Sequence, residues 1–134
     1  MSILIVDDNM FVREMLKDLL EHNGYTVALA DGGVSALQKI KETKPQLVVL
    51  DLMMPDMDGF TVFEQMKRDD EMRNVPVIVL TALEEADLKP EKRSLLLGIR
   101  KFITKGTPAF KPNAFLEDVR RIVSSENGDK TLVV

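Results

Sequence analysis

Three carboxylates stand directly after apolar runs that are typical of buried strands. Asp51 follows the run 47–50, and Asp7 and Asp8 follow the run 3–6. Clustered carboxylates repel one another unless a cation lies among them. Mg²⁺ takes oxygen ligands and keeps several waters, so these acids suit it better than they suit zinc. A carboxylate at a strand exit can also act as a nucleophile, and we therefore predict a site for phosphate chemistry.

Two further strand ends add the partners that a phosphoryl group needs. The apolar run 76–80 ends at Thr81, and Phe102 and Ile103 lead to Lys105. A doubly negative phosphoryl group is bound by hydrogen-bond donors and by cations, and here a hydroxyl and an ammonium group are both present. Because the carboxyl ends of parallel strands share one edge of a sheet, we expect these groups to meet the three acids there.

On these motifs the sequence resembles the receiver domain of bacterial two-component response regulators (CheY-like), in its single-domain form, over residues 2–124. The resemblance implies that Asp51 is the phosphoacceptor. It also implies that Asp7, Asp8, Asp51 and the backbone carbonyl of Met53 hold Mg²⁺, for which Mn²⁺ could substitute.

The resemblance assigns roles to five other residues as well. Thr81 and Lys105 would bind the phosphoryl oxygens, and Phe102 falls where receivers carry an aromatic that changes rotamer on activation. Pro55 and Gly59 would shape the loop that follows the acceptor.

The implied function is signalling. A sensor histidine kinase or a histidine phosphotransfer protein would donate the phosphoryl group to Asp51, and the changed surface would bind a downstream protein. The contact face would comprise the fourth helix, fifth strand and fifth helix of a monomer or a phosphorylation-dependent homodimer. The protein would be no enzyme beyond catalysing its own phosphorylation and dephosphorylation. The alternative is a receiver-like interaction module that works without phosphorylation.

Alternating strand and helix patterns predict an α/β fold with a doubly wound, flavodoxin-like sheet. We expect five parallel strands in the order 2-1-3-4-5 with helices on both faces. The receiver domain would span residues 1–124 and a frayed tail residues 125–134. Pro90 would begin a short fourth helix reaching Gly98, and residues 106–108 would form a loop.

Composition agrees with a cytoplasmic protein. The 134 residues suit about one domain, and they include no cysteine, which excludes disulfides and thiol catalysis. There is no apolar run of about 18 residues, so we expect no membrane span. A net charge of −4 argues against direct binding to nucleic acid.

Several features depart from the receiver pattern. Receivers usually have proline after the conserved lysine, whereas Gly106 follows Lys105, and Lys111 before Pro112 is a second candidate lysine. We prefer Lys105 because Phe102 and Ile103 supply the strand that should carry it. Ile99 replaces the small residue that receivers have after the glycine before the last strand.

Two other interpretations carry less weight. Phosphatases of the haloacid dehalogenase kind use Asp-x-Asp-x-Thr, but Met53 occupies the second position after Asp51. The single histidine, His22, ends the first predicted helix and is interpreted as a surface residue rather than a phosphodonor.

Overall fold

The computed structural model describes residues 2–106 and 110–127 of the chain. The predicted loop over residues 106–108 lies outside this range except for Gly106. The last helix runs to Asn127, three residues beyond the predicted boundary at residue 124, and the rest of the predicted tail lies outside the described residues.

Strands and helices alternate along the chain, as the sequence predicts. The strands are β1 (Ser2–Val6), β2 (Thr26–Ala30), β3 (Leu47–Leu50), β4 (Val77–Thr81) and β5 (Lys101–Thr104). The helices are α1 (Met10–His22), α2 (Gly33–Thr43), α3 (Gly59–Lys67), α4 (Pro90–Leu95) and α5 (Pro112–Asn127), with a short 3₁₀ turn at Glu85–Asp87. All five strands are parallel in the order β2-β1-β3-β4-β5, which confirms the predicted topology.

Strand register brings the predicted site residues to one edge of the sheet. Val6 pairs with Leu50, so the next residues, Asp7 and Asp51, leave neighbouring strands at the same level. The backbone N–H of Asp51 donates to the Val6 carbonyl at 2.9 Å and fixes this alignment. At the other side, Thr81 pairs with Thr104, the residue before Lys105.

The sheet is buried on both faces, which explains why its central strands are continuous apolar runs rather than alternating patterns. One face packs against α2, α3 and α4, with a core that includes Leu4, Val48, Ala36, Ile40, Phe63, Met66 and Leu96. The opposite face packs against α1 and α5, with a core that includes Ile3, Val49, Leu16, Leu20, Phe115 and Val119.

Two helices begin where the sequence provides a capping side chain. Asn9 caps α1 by accepting the Val12 N–H at 3.1 Å, and Asp58 caps α3 by accepting the Thr61 N–H at 2.8 Å.

The fourth helix is shorter than predicted. It ends at Leu95, and the chain turns before reaching Gly98, whose φ of +101° suits glycine.

No helix within residues 2–106 and 110–127 is both long and apolar enough to cross a bilayer.

Truncation of Phe63 tests the core beneath α3. Its ring is 1% exposed, and we expect Phe63→Ala to lower the free energy of unfolding by about 3–5 kcal/mol because it leaves a cavity. Phe11 is 80% exposed, and Phe11→Ala is the matched control with an expected change within about 0.5 kcal/mol. Urea denaturation measures both, and equal losses would contradict this assignment of the core.

Candidate functional site

Three carboxylates form a cluster at the carboxyl edge of the sheet. Asp7, Asp8 and Asp51 each contribute an oxygen, and these oxygens all lie within 4.8 Å of one another. Asp7 and Asp51 are 2% and 3% exposed, whereas Asp8 faces solvent. The cluster therefore has two buried acids at its base and one acid at its mouth.

The Lys105 ammonium group lies between the two buried acids. Its Nζ is 2.6 Å from Asp7 Oδ2 and 2.9 Å from Asp51 Oδ2. The lysine backbone is fixed at the end of β5, where its N–H donates to the Thr81 carbonyl at 2.7 Å. Burial lowers the pKa of Lys105, but its contacts with Asp7 and Asp51 together outweigh burial and raise that pKa above the usual range. Lys105 consequently carries a positive charge at neutral pH.

One ammonium group does not balance three carboxylates. Burial is the largest influence on Asp7 and raises its pKa, although the contact with Lys105 and the hydrogen bond from the Asn9 N–H oppose it. An added divalent cation would relieve the excess negative charge, and an all-oxygen donor set with an open, solvent-facing side suits Mg²⁺. The residues present thus fit a magnesium ion.

The Thr81 hydroxyl is buried beside this edge. Thr81 is fully buried, and its Oγ1 has no hydrogen-bond partner among the residues that the structure describes. The neighbouring hydroxyl of Thr104 donates to the Leu83 carbonyl at 2.9 Å. A buried donor without a partner is costly, and the Thr81 hydroxyl therefore has unused hydrogen-bonding capacity at this edge.

Phe102 lies on β5, three residues before Lys105, and is half-buried. Its ring packs against the core on the α2, α3 and α4 side of the sheet. The side chain is therefore neither fully buried in the core nor fully exposed to solvent.

The loop after Asp51 is held close to the start of α3. The Met53 N–H donates to Asp51 Oδ1 at 3.1 Å, and the Gly59 N–H donates to the Leu52 carbonyl at 2.9 Å. A Cβ on Gly59 would lie 2.3 Å from the Asp51 carbonyl oxygen, so only glycine permits this approach. Pro55 lies exposed within the same loop.

The other two candidates of the sequence lie outside the cluster. Lys111 is exposed, just before the first turn of α5, and the lysine that contacts Asp7 and Asp51 is Lys105. His22 is exposed at the end of α1, with Nδ1 2.9 Å from the Asp18 carbonyl oxygen. Since α1 leads away from the carboxyl edge, His22 is at the far end of the helix from the cluster.

The backbone conformation at position 106 explains why glycine, and not proline, follows Lys105. Gly106 has a φ of +67°, which proline cannot adopt because its ring fixes φ near −65°. The chain therefore leaves β5 in a direction that the usual proline of receivers would not allow.

Sequence reasoning missed two contacts at this edge. Arg13 Nη1 donates to the Asp7 carbonyl at 2.8 Å, which ties α1 to the end of β1. The Asp56 carboxylate accepts backbone hydrogen bonds from Gly33 and Val34, 23 and 22 residues away. The adjacent glycines at the start of α2, which offer no side chain for a cap, are the signal that could have drawn attention to the second contact.

The fold and the cluster can be compared with known proteins. A family model for the response regulator receiver domain matches residues 3–120. The chain belongs to this family. As a receiver, it is a signalling domain of two-component systems, which confirms the resemblance seen in the sequence.

Individual relatives match this receiver over nearly its whole length. It is 35% identical over 123 residues to the chemotaxis protein CheY of Bacillus subtilis, covering 91% of this chain and 97% of that protein. It is 34% identical over 119 residues to the polar-differentiation response regulator DivK of Brucella anthropi, covering 89% and 93%.

A solved structure has the same fold. The signal receiver domain of a signal transduction histidine kinase from Syntrophus aciditrophicus superimposes with a TM-score of 0.80 at 34% identity. The superposition covers 94% of this chain and 92% of that chain.

Replacement of Gly59 tests how closely the loop after Asp51 is packed against the start of α3. Alanine favours helices over glycine by about 1 kcal/mol, but its Cβ would collide with the backbone of Asp51 and Leu52. We expect Gly59→Ala to destabilise the fold by about 1–3 kcal/mol because backbone atoms must move. Denaturation and the backbone amide shifts of Asp51 and Leu52 provide the measurements. A variant that is as stable as the parent, with unmoved shifts, would contradict the close approach.

Proposed function

We propose that this receiver accepts a phosphoryl group on Asp51 from the phosphohistidine of a sensor histidine kinase or of a histidine phosphotransfer protein. The observation that carries the proposal is the Asp51 carboxylate itself, which is buried, contacts the Lys105 ammonium and lies within the acid cluster.

Asp7, Asp8 and Asp51 would hold Mg²⁺ through their carboxylates, and Met53 would add its backbone carbonyl. Mn²⁺, which also prefers oxygen ligands, could take its place. The bound ion would supply positive charge that offsets the repulsion between the acceptor carboxylate and the phosphoryl oxygens. The excess negative charge of the cluster supports this assignment.

The transfer step is a displacement at phosphorus. An Asp51 carboxylate oxygen forms the new bond to phosphorus while the bond from phosphorus to the imidazole nitrogen of the donor breaks, and its electron pair stays on that nitrogen. Lys105, already within hydrogen-bond distance of Asp51, binds a phosphoryl oxygen as the negatively charged phosphoryl group reaches Asp51. Catalysis of this kind consists of positioning and electrostatic stabilisation.

The new group would change the surface through Thr81 and Phe102. The unpartnered Thr81 hydroxyl donates to a phosphoryl oxygen, and Phe102 moves into the space that Thr81 leaves. A shift from nearly all inactive to nearly all active requires about 5.5 kcal/mol of differential stabilisation. Charge-assisted hydrogen bonds from Lys105 and Thr81 contribute to that difference.

The altered face would comprise α4, β5 and α5, and it would bind a downstream protein or a second copy in the cytoplasm. This face carries a charged cleft of about 480 Å³ lined by Arg100, Lys101 and Arg121 around the buried Asp118. Asp118 binds Lys101 Nζ at 2.9 Å and also pairs with Arg121. Such groups can select a partner by charge as well as by shape.

Labelling by a small phosphodonor tests the acceptor. We expect the parent to gain one phosphoryl group from acetyl phosphate only when Mg²⁺ is present, whereas Asp51→Asn gains none because an amide is not a nucleophile. Asp70→Asn is the matched control, since the Asp70 side chain is 88% exposed and far from the cluster in sequence. Intact mass spectrometry measures the addition.

Two outcomes of that experiment would contradict the proposal. Undiminished labelling of Asp51→Asn would place the acceptor elsewhere. A folded parent that binds Mg²⁺ but takes no phosphoryl group from acetyl phosphate or from phosphohistidine donors would favour the alternative of a phosphorylation-independent interaction module.

The two lysines provide a second test. Lys105→Ala should uncouple phosphorylation from the conformational response, because the ammonium that contacts Asp51 is lost, whereas Lys111→Ala should leave the response intact. The measurement is the phosphorylation-induced NMR shift of the Phe102 ring, scaled to the fraction phosphorylated. A response that survives Lys105→Ala and disappears in Lys111→Ala would show that Lys111, and not Lys105, has this role.

A further inference from the structure

The first turn of α2 is capped by a residue from a different part of the chain. Gly32 occupies the N-cap position and has no side chain that could accept the free backbone N–H groups of the helix. The Asp56 carboxylate does so instead, with Oδ1 accepting from Gly33 at 3.1 Å and Oδ2 accepting from Val34 at 3.2 Å. The loop after the acceptor is thereby attached to α2.

Gly32 and Gly33 pack closely against the loop that follows Asp51. A Cβ on Gly32 would lie 2.8 Å from both carboxylate oxygens of Asp56. A Cβ on Gly33 would lie 2.6 Å from the Met57 carbonyl oxygen and 2.9 Å from a methyl group of Val62. Any larger residue at either position would push the loop away from α2.

The attached carboxylate remains charged. Hydrogen bonds from the backbone N–H groups of Gly33, Val34 and Met57 lower the pKa of Asp56 below its usual value. A negative charge at the start of a helix also interacts favourably with the helix dipole. The attachment therefore persists over the whole neutral range and weakens only when the pH falls through this lowered pKa.

Met53 lies between two fixed points of the loop. At one side its N–H donates to Asp51 Oδ1 at 3.1 Å, and at the other side Asp56 is held on α2. Only four residues separate Asp51 from Asp56, so little freedom remains for the peptide groups between them. The direction of the Met53 carbonyl thus depends on both anchors.

We propose that Asp56 is a positioning residue, which holds the Met53 carbonyl where the proposed metal site needs a ligand. The inference rests on the proposed function, because it requires that the cluster bind Mg²⁺. Asp56 itself would touch neither the ion nor the phosphoryl group.

Calorimetric titration with Mg²⁺ in the absence of any phosphodonor tests this inference. Asp56→Ala should bind Mg²⁺ about tenfold more weakly than the parent, which is the lower end of the loss seen when a residue that orients a metal ligand is removed. Asp56→Asn keeps one acceptor oxygen and caps helices nearly as well as aspartate, so its loss should be about two- to threefold. Equal losses in the two variants would indicate that only the charge matters and would overturn the proposal.

Asp69→Ala is the matched control. Asp69 is also a loop carboxylate whose pKa is lowered, first by a backbone N–H, that of Glu71 at 2.8 Å, but it lies in the connection between α3 and β4. Asp69→Ala removes the same charge, a similar hydrogen bond and also the ion pair with Lys41 at 3.2 Å, and we expect Mg²⁺ affinity within about twofold of the parent, as for distant, independent sites. An equal loss in Asp69→Ala and Asp56→Ala would contradict a positioning role.

Two further measurements separate position from charge and from stability. The affinity ratio of parent to Asp56→Ala should be the same in about 0.1 M and about 1 M KCl, because salt screens a distant charge but does not move a carbonyl. A ratio that falls to one at high salt would overturn the proposal, as would a variant that melts earlier yet binds Mg²⁺ like the parent. A parent that binds no Mg²⁺ while Asp51 still accepts phosphate would remove this inference alone, and loss of both would remove the proposed function with it.

Discussion

The position of Lys105 Nζ between Asp7 and Asp51 is the constraint on which the rest of the site depends. Two buried carboxylates side by side would be unstable without a cation, and the ammonium group lets both remain in the fold. Its position requires that β1, β3 and β5 end at the same edge of the sheet. The ion pairs of Lys105 with Asp7 and Asp51 therefore depend on the parallel order and the register of the strands.

That pairing also limits what the site can bind. Because Lys105 supplies one positive charge and the acids supply three negative ones, the cluster attracts a divalent cation rather than an anion. In the proposed function, a bound divalent cation would also reduce the repulsion between this cluster and a phosphoryl group. Asp8, at the solvent side, is the acid most accessible to an incoming ion, whereas the Asp7 carboxylate is buried and accepts a hydrogen bond from the Asn9 N–H.

Much of this arrangement was predictable because strand ends are marked in the sequence. Asp7, Asp51 and Thr81 each follow an apolar run directly, and parallel strands leave few ways to arrange such ends. The end of α4 was predicted too late, at Gly98 instead of Leu95, because Leu95, Leu96 and Leu97 continue a helical pattern that the turn interrupts. The contact between Asp56 and α2 was missed, since it depends on how two loops pack and neither loop has a periodic pattern.

The roles of individual residues were likewise predictable only in part. The sequence indicates which side chains reach the carboxyl edge, but hydrogen-bond satisfaction depends on the folded chain. From the sequence alone, Thr81 is an ordinary hydroxyl at a strand end, and only the structure shows that it is buried without a hydrogen-bond partner among the described residues. Gly106 is likewise only a departure from the family pattern until its positive φ is known.

The solitary Thr81 hydroxyl has an energetic consequence for the resting protein. A buried hydroxyl without a partner costs about 1–3 kcal/mol, and within the described part of the chain Thr81 Oγ1 makes no hydrogen bond that would offset it. An acceptor oxygen arriving at the site would recover it. In the proposed switch, part of the free energy that favours the phosphorylated state would therefore come from giving this hydroxyl a hydrogen-bond partner.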